Sequence, residues 1–534
     1  MPGNFLRNQK GFSAVIILVV VLVILSVLAY FLFGKYKTPT KTESIGKSAE
    51  KIVIGVKSAP LGFYGQDSVE YESPTFNFNA NIFEGLTTFD KDLKFASRQL
   101  VESWDNPSDT TWRLRLRQGV KFHDGSLFDA EDAKASVDFA KKYVVKDDLA
   151  LIKDVKVIDQ YTIEINTDGP NPLLLNNLVN AFVLPKEVID SKKFDVPIGT
   201  GPYKFVNKNG NDYTLSANDD YYLGKAKVAN VDYRIIENND DRVNALLSGQ
   251  VDLIEDVPAN RISDIEGNKD LEFKGAPSLR VIFLGMDVLS NKLKYSKASD
   301  NPFKKLAVRQ AIYKAIDEET IVKEVMGGHA YPASQLATSV NFGFNPDLKR
   351  PTYDPEGAKK LLSDAGYPNG FDIVLDVPNN RYQNDEAIGK KVVEQLTKVG
   401  IKATLNSMSK DDYFPKILDN KDTSFYLLGW SQDNGDAGGA YATLVHTFNE
   451  EKGYGGFNIG GFSNADLDKA IEQSDKTVDS VARLKMLQNI AEMTMSNTTD
   501  IPLHQQEDSF AVKKIFKWVP RRDNGIRAFE ISLL

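Results

Sequence analysis

The chain has 534 residues, of which 42% are hydrophobic and 26% charged, with a formal net charge of −8 and no cysteine. These fractions are typical of globular proteins, and a chain this long should divide into two or three domains because single cores stop growing at about 250–300 residues. The absence of cysteine excludes disulfides, thiolate metal sites, a cysteine nucleophile and a lipid anchor on cysteine. The acidic charge argues against a nucleic-acid partner.

The N-terminal part contains one apolar segment, residues 12–33, without a charged side chain. As a helix it would span roughly 33 Å, enough for the hydrocarbon core of a bilayer. The alternative is a cleaved signal peptide, whose hydrophobic region is usually about 7–15 residues long. We expect residues 1–37 to form a retained membrane anchor, followed by a polar linker over 38–50. Basic residues on both sides leave its orientation undecided.

The next part of the chain predicts strands that alternate with helices. Residues 51–56 read as a short buried strand, and 112–117 alternate polar and apolar side chains as a half-buried strand does. A helix should begin near Asp129, because acidic side chains follow in its first turn. Asn209-Gly210 accepts the positive φ angles of a tight hairpin turn.

The segment 238–254 predicts a helix with Val243, Leu246 and Leu247 on one face, a stop at Gly249 and then a strand. Further helices are predicted at 303–315, 355–365 and 384–399, and strands at 371–377 and 401–405. This alternation favours an α/β protein with an open sheet covered by helices.

Signals of catalysis or metal binding are weak. The four histidines lack metal-ligand spacing: His123, His329, His446 and His504. Nucleophile-elbow, Walker A and dinucleotide-binding patterns are absent, and the glycine-rich segment 453–461 reads as a loop. Asp433 and Asp436 could form a glycosidase pair, but sequence spacing does not set their separation. We therefore expect a binding protein without a metal or another cofactor, rather than an enzyme.

Five segments carry a family resemblance. They are IFEGL (82–86) with WRLRLRQGVKFHDG (112–125), PIGTGPYKF (197–205), RVNALLSGQVDL (242–253), NPFKKLAVRQAI (301–312) and GWSQDNGD (429–436). The segments occur in the same order as in the family 5 extracellular solute-binding proteins, which the chain resembles over about residues 50–520. These are the peptide, dipeptide and nickel receptors of ABC importers.

The resemblance implies a two-lobed α/β fold of the large, three-subdomain type II periplasmic-binding-protein class, which would follow the one transmembrane helix that the apolar segment predicts. The first lobe would comprise residues 51–276 with an added subdomain at about 75–195, the second lobe 277–505, and a return segment 506–534. The lobes would close on a ligand about hinges near Ala276 and Gln505.

The implied function is to capture short peptides outside the cytoplasm and deliver them to the permease and ATPase subunits of an importer. The protein would be a monomer, held at the cell membrane by its single N-terminal helix.

Two charged residues decide the expected ligand. In dipeptide receptors an aspartate of the Gly-Trp-x-x-Asp loop holds the α-amino group, and here that position is Asp433. An arginine before a long helix holds the α-carboxylate, and the matching position is Arg381. A zwitterion loses the hydration of both ends in a cleft, so one fixed acid and one fixed base can compensate it. Trp430 would supply an apolar wall, and the neighbouring residues expected to line the site are Gly429, Asn434 and Tyr382.

Other interpretations stay open. Arg381 could be a solvated loop residue, Asp433 a surface acid and Trp430 part of the core. The family usually has proline after the loop's last acid, whereas this chain has Ala437-Gly438-Gly439, which suggests a more mobile loop. The chain could also be a tethered ligand sensor, a receptor for a nickel chelate or an oligosaccharide, or, less in keeping with the sequence, a hydrolase. The shortage of histidines argues against direct nickel ligation.

Overall fold

The computed structural model describes residues 49–66, 72–96 and 99–534. The predicted membrane helix at 12–33 and nearly all of the predicted linker lie outside these residues. Within the described part, no helix combines the length and the apolar character needed to cross a membrane.

The strands of the described residues are β1 Ala49–Val56, β2 Val101–Ser108, β3 Thr111–Leu116, β4 Ile152–Asp159, β5 Thr162–Thr167, β6 Tyr203–Asn209, β7 Asp212–Ala217, β8 Val228–Ile235, β9 Leu253–Glu255, β10 Leu271–Met286, β11 Ala330–Pro332, β12 Asp372–Pro378, β13 Lys402–Met408, β14 Phe425–Ser431, β15 Asp500–Lys513, β16 Phe516–Lys517 and β17 Ser532–Leu533.

The α-helices of the described residues are α1 Ser73–Asn79, α2 Ala130–Phe139, α3 Leu174–Asn177, α4 Lys186–Ser191, α5 Asn239–Leu247, α6 Ile262–Glu266, α7 Leu306–Ala315, α8 Glu318–Thr320, α9 Pro355–Asp364, α10 Asp385–Thr397, α11 Lys410–Phe414, α12 Gly438–Leu444, α13 Ala465–Ser474 and α14 Ser480–Asn497. Short π-helical segments continue three of them, at Ala140–Val144, Ile321–Val325 and Pro415–Asp419.

Short-range sequence signals explain several of these boundaries. Asp129 caps α2, because its carboxylate accepts hydrogen bonds from the backbone of Glu131 and Asp132. The predicted hairpin is confirmed: β6 and β7 are antiparallel neighbours, and Gly210 between them has φ +60°. Helix α5 buries Val243 and Leu246 as predicted, whereas Leu247 is 37% exposed and lies off the buried face.

Most strands form one continuous sheet in the order β13-β12-β14-β10-β15-β9-β1-β8-β7-β6, with β11 added beside β15. The pairs β1–β8 and β12–β13 are parallel, which agrees with the predicted α/β class. The two long strands β10 and β15 are antiparallel neighbours along nearly their whole length. Each half of the sheet therefore has its own parallel strands, and β10 and β15 belong to both halves.

Two of the hydrophobic cores that pack against this sheet lie at opposite ends of β15. One contains Ile52 and Val231 together with Phe510 of β15, and the other contains Leu427 together with Ile501 from the other end of β15. Because each core fills with side chains from a different end of the same strand, the molecule has two lobes joined at the sheet.

The strands β10 and β15 cross between the lobes at an irregularity in their pairing. Pro277 pairs with Glu507 and Val281 with Gln505, so the register shifts between these two pairs. Ser278 lies in this shift and is not paired with a residue of β15. Its carbonyl instead accepts a hydrogen bond from the side-chain amide of Gln505. The predicted hinge positions, Ala276 and Gln505, lie beside this irregularity, while the predicted domain boundaries remain predictions.

A second sheet, of four antiparallel strands in the order β2-β3-β5-β4, lies within residues 101–167. Its core contains Leu114, Ile163 and Ile165, packed against Phe128 and Val137 of the α2 region. This sheet falls within the subdomain predicted at about 75–195.

Two of the segments that carry the family resemblance contact one another. A Cβ on Gly199 would lie 2.2 Å from the carbonyl oxygen of Ile82, and one on Gly201 would lie 2.5 Å from the same atom. Only glycine allows the two chains to approach so closely. The hydroxyl of Thr200 also donates to Glu84 at 3.0 Å. These two motifs are therefore packed directly against one another.

Candidate ligand-binding site

The predicted site begins where β14 leaves the core. Residues Phe425 to Leu428 of this strand are buried, whereas its last three residues are half-buried. A Cβ on Gly429 would lie 2.8 Å from the ring of Tyr382 and 2.8 Å from Ile282. Glycine at this position therefore lets the Tyr382 ring approach the strand closely.

The loop after β14 is fixed by a buried ion pair. The guanidinium of Arg483 binds both carboxylate oxygens of Asp436, and the two side chains are 3% and 2% exposed. A Cβ on Gly439 would lie 2.3 Å from the side-chain nitrogen of Gln432, and the Cβ of a residue at Gly438 would meet Arg483 at 2.8 Å. Close packing therefore explains why both positions are glycine. Asp436, being paired and buried, is not available as a catalytic partner of Asp433.

Asp433 lies at the exposed tip of this loop, where its carboxylate accepts a hydrogen bond from the hydroxyl of Ser431. The carbonyl of its neighbour Asn434 accepts from the side-chain amide of Asn176 at 2.8 Å. Asn176 belongs to α3, so this bond connects the loop to the chain of the first lobe. Asp433 itself forms no ion pair with another described residue.

Asp433 and Asn434 line a cavity of about 380 Å³, which we call the aromatic cavity. Its walls include Phe76 and Phe182, whose stacked rings have centroids 5.1 Å apart. Arg521 binds Asp523 at 2.8 Å, and together with Arg527 it holds the pKa of Asp523 well below its usual range although burial opposes this. Arg521 also binds Glu530 at 2.8 Å, so two carboxylates balance the two arginines, and the Asp433 carboxylate remains able to take a cationic group.

Arg381 lies in the loop between β12 and α10. The carboxylate of buried Asp385 accepts from the backbone N–H groups of Arg381 and Tyr382, each at 3.0 Å, which fixes the loop. The Arg381 guanidinium is exposed and lies 5.2 Å from the centroid of the Tyr382 ring. No carboxylate among the described residues forms an ion pair with it.

The structure places the predicted residues along one strip, in two cavities. Four of them line a small cavity of about 310 Å³: Arg381, Tyr382, Gly429 and Trp430. Asp433 and Asn434 line the aromatic cavity, and Ser431 belongs to both. Trp430 is half-buried, and its ring centroid lies 5.0 Å from that of Phe457. It therefore packs against Phe457 and also forms part of the wall of the small cavity.

Two residues of the crossing strands were missed by sequence reasoning. Arg280 of β10 lines the small cavity and also a larger one of about 820 Å³, which we call the crossing cavity. Asp508 of β15 lines the crossing cavity too; burial, reinforced by Asp256 and Asp433, raises its pKa to about 8, against the opposing effect of Arg280. The available signal was a charged residue inside an apolar strand sequence, SLRVIFL for Arg280.

The described residues hold no group of three or more side chains suited to a metal ion. His123, which the sequence pairs with Asp124, has a structural role: its Nε2 lies 3.0 Å from the carbonyl oxygen of Gly201. Burial lowers the pKa of His123 to about 4, so the ring is neutral at physiological pH. It links the turn at 123–125 to the glycine-rich segment of the first lobe.

Comparison with known proteins agrees with this geometry. The sequence model described as "Bacterial extracellular solute-binding proteins, family 5 Middle" matches residues 97–452, about two thirds of the chain. The glutathione-binding protein GsiB of Pectobacterium atrosepticum is 29% identical over 454 residues, covering 81% of this chain and 84% of GsiB.

Two solved structures share the fold. HbpA2 from Haemophilus parasuis superposes with a TM-score of 0.79 at 21% identity, covering 91% of this chain and 100% of HbpA2. The periplasmic binding protein DppA from Helicobacter pylori, in complex with the peptide STSA, gives 0.68 at 22% identity, covering 91% and 98%. The chain therefore belongs to the bacterial extracellular solute-binding proteins of family 5, and is a two-lobed, extracytoplasmic solute-binding protein of ABC importers rather than an enzyme.

Proposed function

We propose that this protein captures short peptides with free termini in the cleft between its lobes and delivers them to an importer's permease. The observation that carries the proposal is the pair of opposite charges along the strip at the end of β14. Asp433 presents a carboxylate at one end and Arg381 presents a guanidinium at the other. Neither side chain forms an ion pair within the described residues.

A short peptide is a zwitterion, and each charged end loses hydration when it enters a cleft. An uncompensated buried ion costs several kcal/mol, so a cleft that binds zwitterions must supply a partner for each end. Asp433 can accept hydrogen bonds from an α-ammonium group. Arg381 can donate two parallel hydrogen bonds to a carboxylate. The aromatic faces of Trp430 and Tyr382 between them would cover the apolar part of a peptide.

The names of similar proteins support the same ligand class. Glutathione, which the GsiB relative is named for, is a tripeptide, and the DppA structure contains the peptide STSA. Closure of the lobes on the ligand would bend the two crossing strands at the irregular pairing beside Ala276 and Gln505.

Isothermal titration calorimetry with blocked peptides tests the two anchors. We expect the wild-type protein to bind Ala-Ala and to lose about 2 kcal/mol or more, roughly 30-fold, when Ala-Ala is N-acetylated. Asp433→Asn should show the same loss of affinity for free Ala-Ala. Acetylation of the peptide should then cause little further loss, since the substitution and the acetylation remove the same interaction. Arg381→Gln should behave likewise toward amidation of the C-terminus.

The matched control is Asp466→Asn, an exposed aspartate outside the three cavities. It should bind all three peptides as the wild type does. Equal affinity of Asp433→Asn and wild type for free Ala-Ala would disprove the amine site.

We also propose that residues 12–33 tether the protein to the membrane, as their uncharged, apolar sequence supports. Fractionation of cells that produce the full chain should place it in the membrane pellet, resistant to high salt and released by detergent. A variant beginning at Thr38 should be recovered in the soluble fraction. Recovery of the full chain as a shortened soluble protein would instead support a cleaved signal peptide.

A further inference from the structure

Arg280 and Arg381 both lie close enough to Tyr382 to affect its pKa. Both arginines line the small cavity and the crossing cavity; burial raises the pKa of Tyr382, and the two arginines oppose this rise. The Cδ of Arg280 lies 3.1 Å from the Cβ position of Gly429, so its side chain packs on the same strand position as Tyr382 does. Two guanidinium groups therefore share one wall of the cleft.

The other charged groups of the crossing cavity, Lys57, Asp256 and Glu507, already have polar partners. Lys57 forms an ion pair with Asp256 at 2.7 Å. Glu507 accepts from the hydroxyl of Tyr331 at 2.9 Å and lies 2.8 Å from Nδ1 of His329.

Asp508 does not neutralise Arg280. No hydrogen bond or ion pair within 4.0 Å joins the two among the described residues. The raised pKa of the Asp508 carboxyl also leaves it mostly protonated at neutral pH. The described charges of this cavity thus leave two guanidiniums, those of Arg280 and Arg381, without a carboxylate partner.

Two like charges on one wall repel each other, and anions that bind to them reduce this repulsion. A guanidinium is suited to a carboxylate because its planar fork donates two parallel hydrogen bonds. The C-terminal carboxylate of a peptide occupies one arginine. The second arginine then has room and charge for a second carboxylate of the same ligand.

We propose that Arg280 is a specificity-determining residue, which binds a second carboxylate of the ligand beside the one held by Arg381. The preferred ligands are then short peptides with one α-ammonium group and two carboxylates. This inference rests on the peptide-binding function proposed above, and it adds a selection for acidic peptides.

Calorimetry with the full-length protein and matched dipeptides tests the inference. Ala-Glu and Ala-Gln differ by one carboxylate at nearly constant shape, and we expect the wild type to bind Ala-Glu at least about ten-fold more tightly. In Arg280→Gln this ratio should fall close to one. The control Arg115→Gln changes an exposed arginine of β3, 54% exposed, and should keep the wild-type ratio. Thermal unfolding checks that each variant is folded.

A third peptide, γ-glutamylalanine, tests where in the peptide the second carboxylate must lie. It has the same charged groups as Ala-Glu but carries the extra carboxylate at its amino-terminal residue. Preference for either peptide over Ala-Gln supports the inference and identifies which geometry the site takes.

Equal binding of all three peptides by the wild type, or an unchanged ratio in Arg280→Gln, overturns the role of Arg280 while leaving peptide binding in place. Failure of the wild type to bind any of the peptides overturns the proposed function itself, and this inference with it.

Discussion

The guanidinium of Arg483 holds the carboxylate of Asp436 directly behind the loop that carries Asp433. Its Nη2 lies 2.9 Å from Oδ1, and its Nε donates to the carbonyl of Ser474 at 3.0 Å. One side chain thereby connects α14, the end of α13 and the ligand loop. The position of Asp433 in the cleft depends on this connection, although Arg483 itself contacts none of the cavities described.

Substitution of Arg483 should destabilise the protein strongly. Arg483→Gln leaves the buried Asp436 carboxylate without a cation, which costs about 3–5 kcal/mol. The free energy of unfolding from urea titration measures the loss. Arg115→Gln, in an exposed pair with Asp105, should cost no more than about 1 kcal/mol. If Arg483→Gln lost less than about 1 kcal/mol, the Asp436 carboxylate could not be a buried charge without a partner in the variant.

Gly429→Ala should weaken peptide binding. The added methyl would lie 2.8 Å from Tyr382 and Ile282, and overpacking of this kind costs about 1–3 kcal/mol. Because Tyr382 lines the small cavity together with both arginines, its displacement should appear in calorimetry as lower peptide affinity. Gly169→Ala is the control, since nothing lies within 4 Å of its Cβ position, and its affinity should equal that of the wild type. Unchanged binding in Gly429→Ala would show that Tyr382 does not shape the site.

Asn176→Ala should reduce peptide affinity by about 0.5–1.5 kcal/mol. The variant loses the hydrogen bond to the Asn434 carbonyl, which joins the first-lobe chain to the ligand loop. The neighbouring residue gives a matched control: Asn177 donates to the carbonyl of Asp148 at 2.7 Å, within the first lobe. Asn177→Ala should therefore leave the affinity unchanged. Equal effects of the two substitutions in calorimetry would refute a role for the contact between lobes.

Asp508 should make stability depend on pH. Burial, together with Asp256 and Asp433, raises its pKa to about 8, while an unfolded aspartate titrates near 3.9. Between these values the folded state holds more protons than the unfolded state, so this stabilising contribution is complete below about pH 4 and is lost as the pH rises through about 8.

Asp508→Asn removes this titration and keeps the shape of the protonated side chain. In urea unfolding, the stability of the variant relative to wild type should therefore increase from pH 5 to pH 8.5. Comparing the two proteins cancels the contribution of other carboxyls whose pKa is raised. Asp500 is one of these, because burial raises its pKa to about 7. A difference that stays constant over this range would mean that Asp508 is already ionised at pH 5.

Much of the fold could be predicted because local chemistry sets it. The N-cap at Asp129, the Asn209-Gly210 turn and the proline that begins α9 act within a few residues of one another. Helix periodicity was less reliable at the end of α5, where Leu247 lies in the last turn and is exposed. The membrane helix at 12–33 stays a prediction.

The candidate site was only partly accessible to sequence reasoning. Asp433 could be found because it belongs to a short motif. Arg280 and Asp508 are separated by more than two hundred residues and come together only where β10 pairs with β15. The role of Asp436 likewise depends on Arg483, which the sequence places far away and in an ordinary helix. Pairing of distant strands and helices, which no local pattern encodes, decides these positions.

The crossing of β10 and β15 also limits how this protein can change in length. Because successive side chains of a strand point to opposite faces, inserting one residue into a crossing strand would turn the later side chains of that strand to the other face of the sheet. With an insertion in β10 before Arg280, Arg280 would leave the cleft and Ile282 would leave the core. Surface loops tolerate insertions far more easily. For this chain, changes of loops and side chains should therefore alter ligand binding at less cost to the fold than changes in the length of the crossing strands.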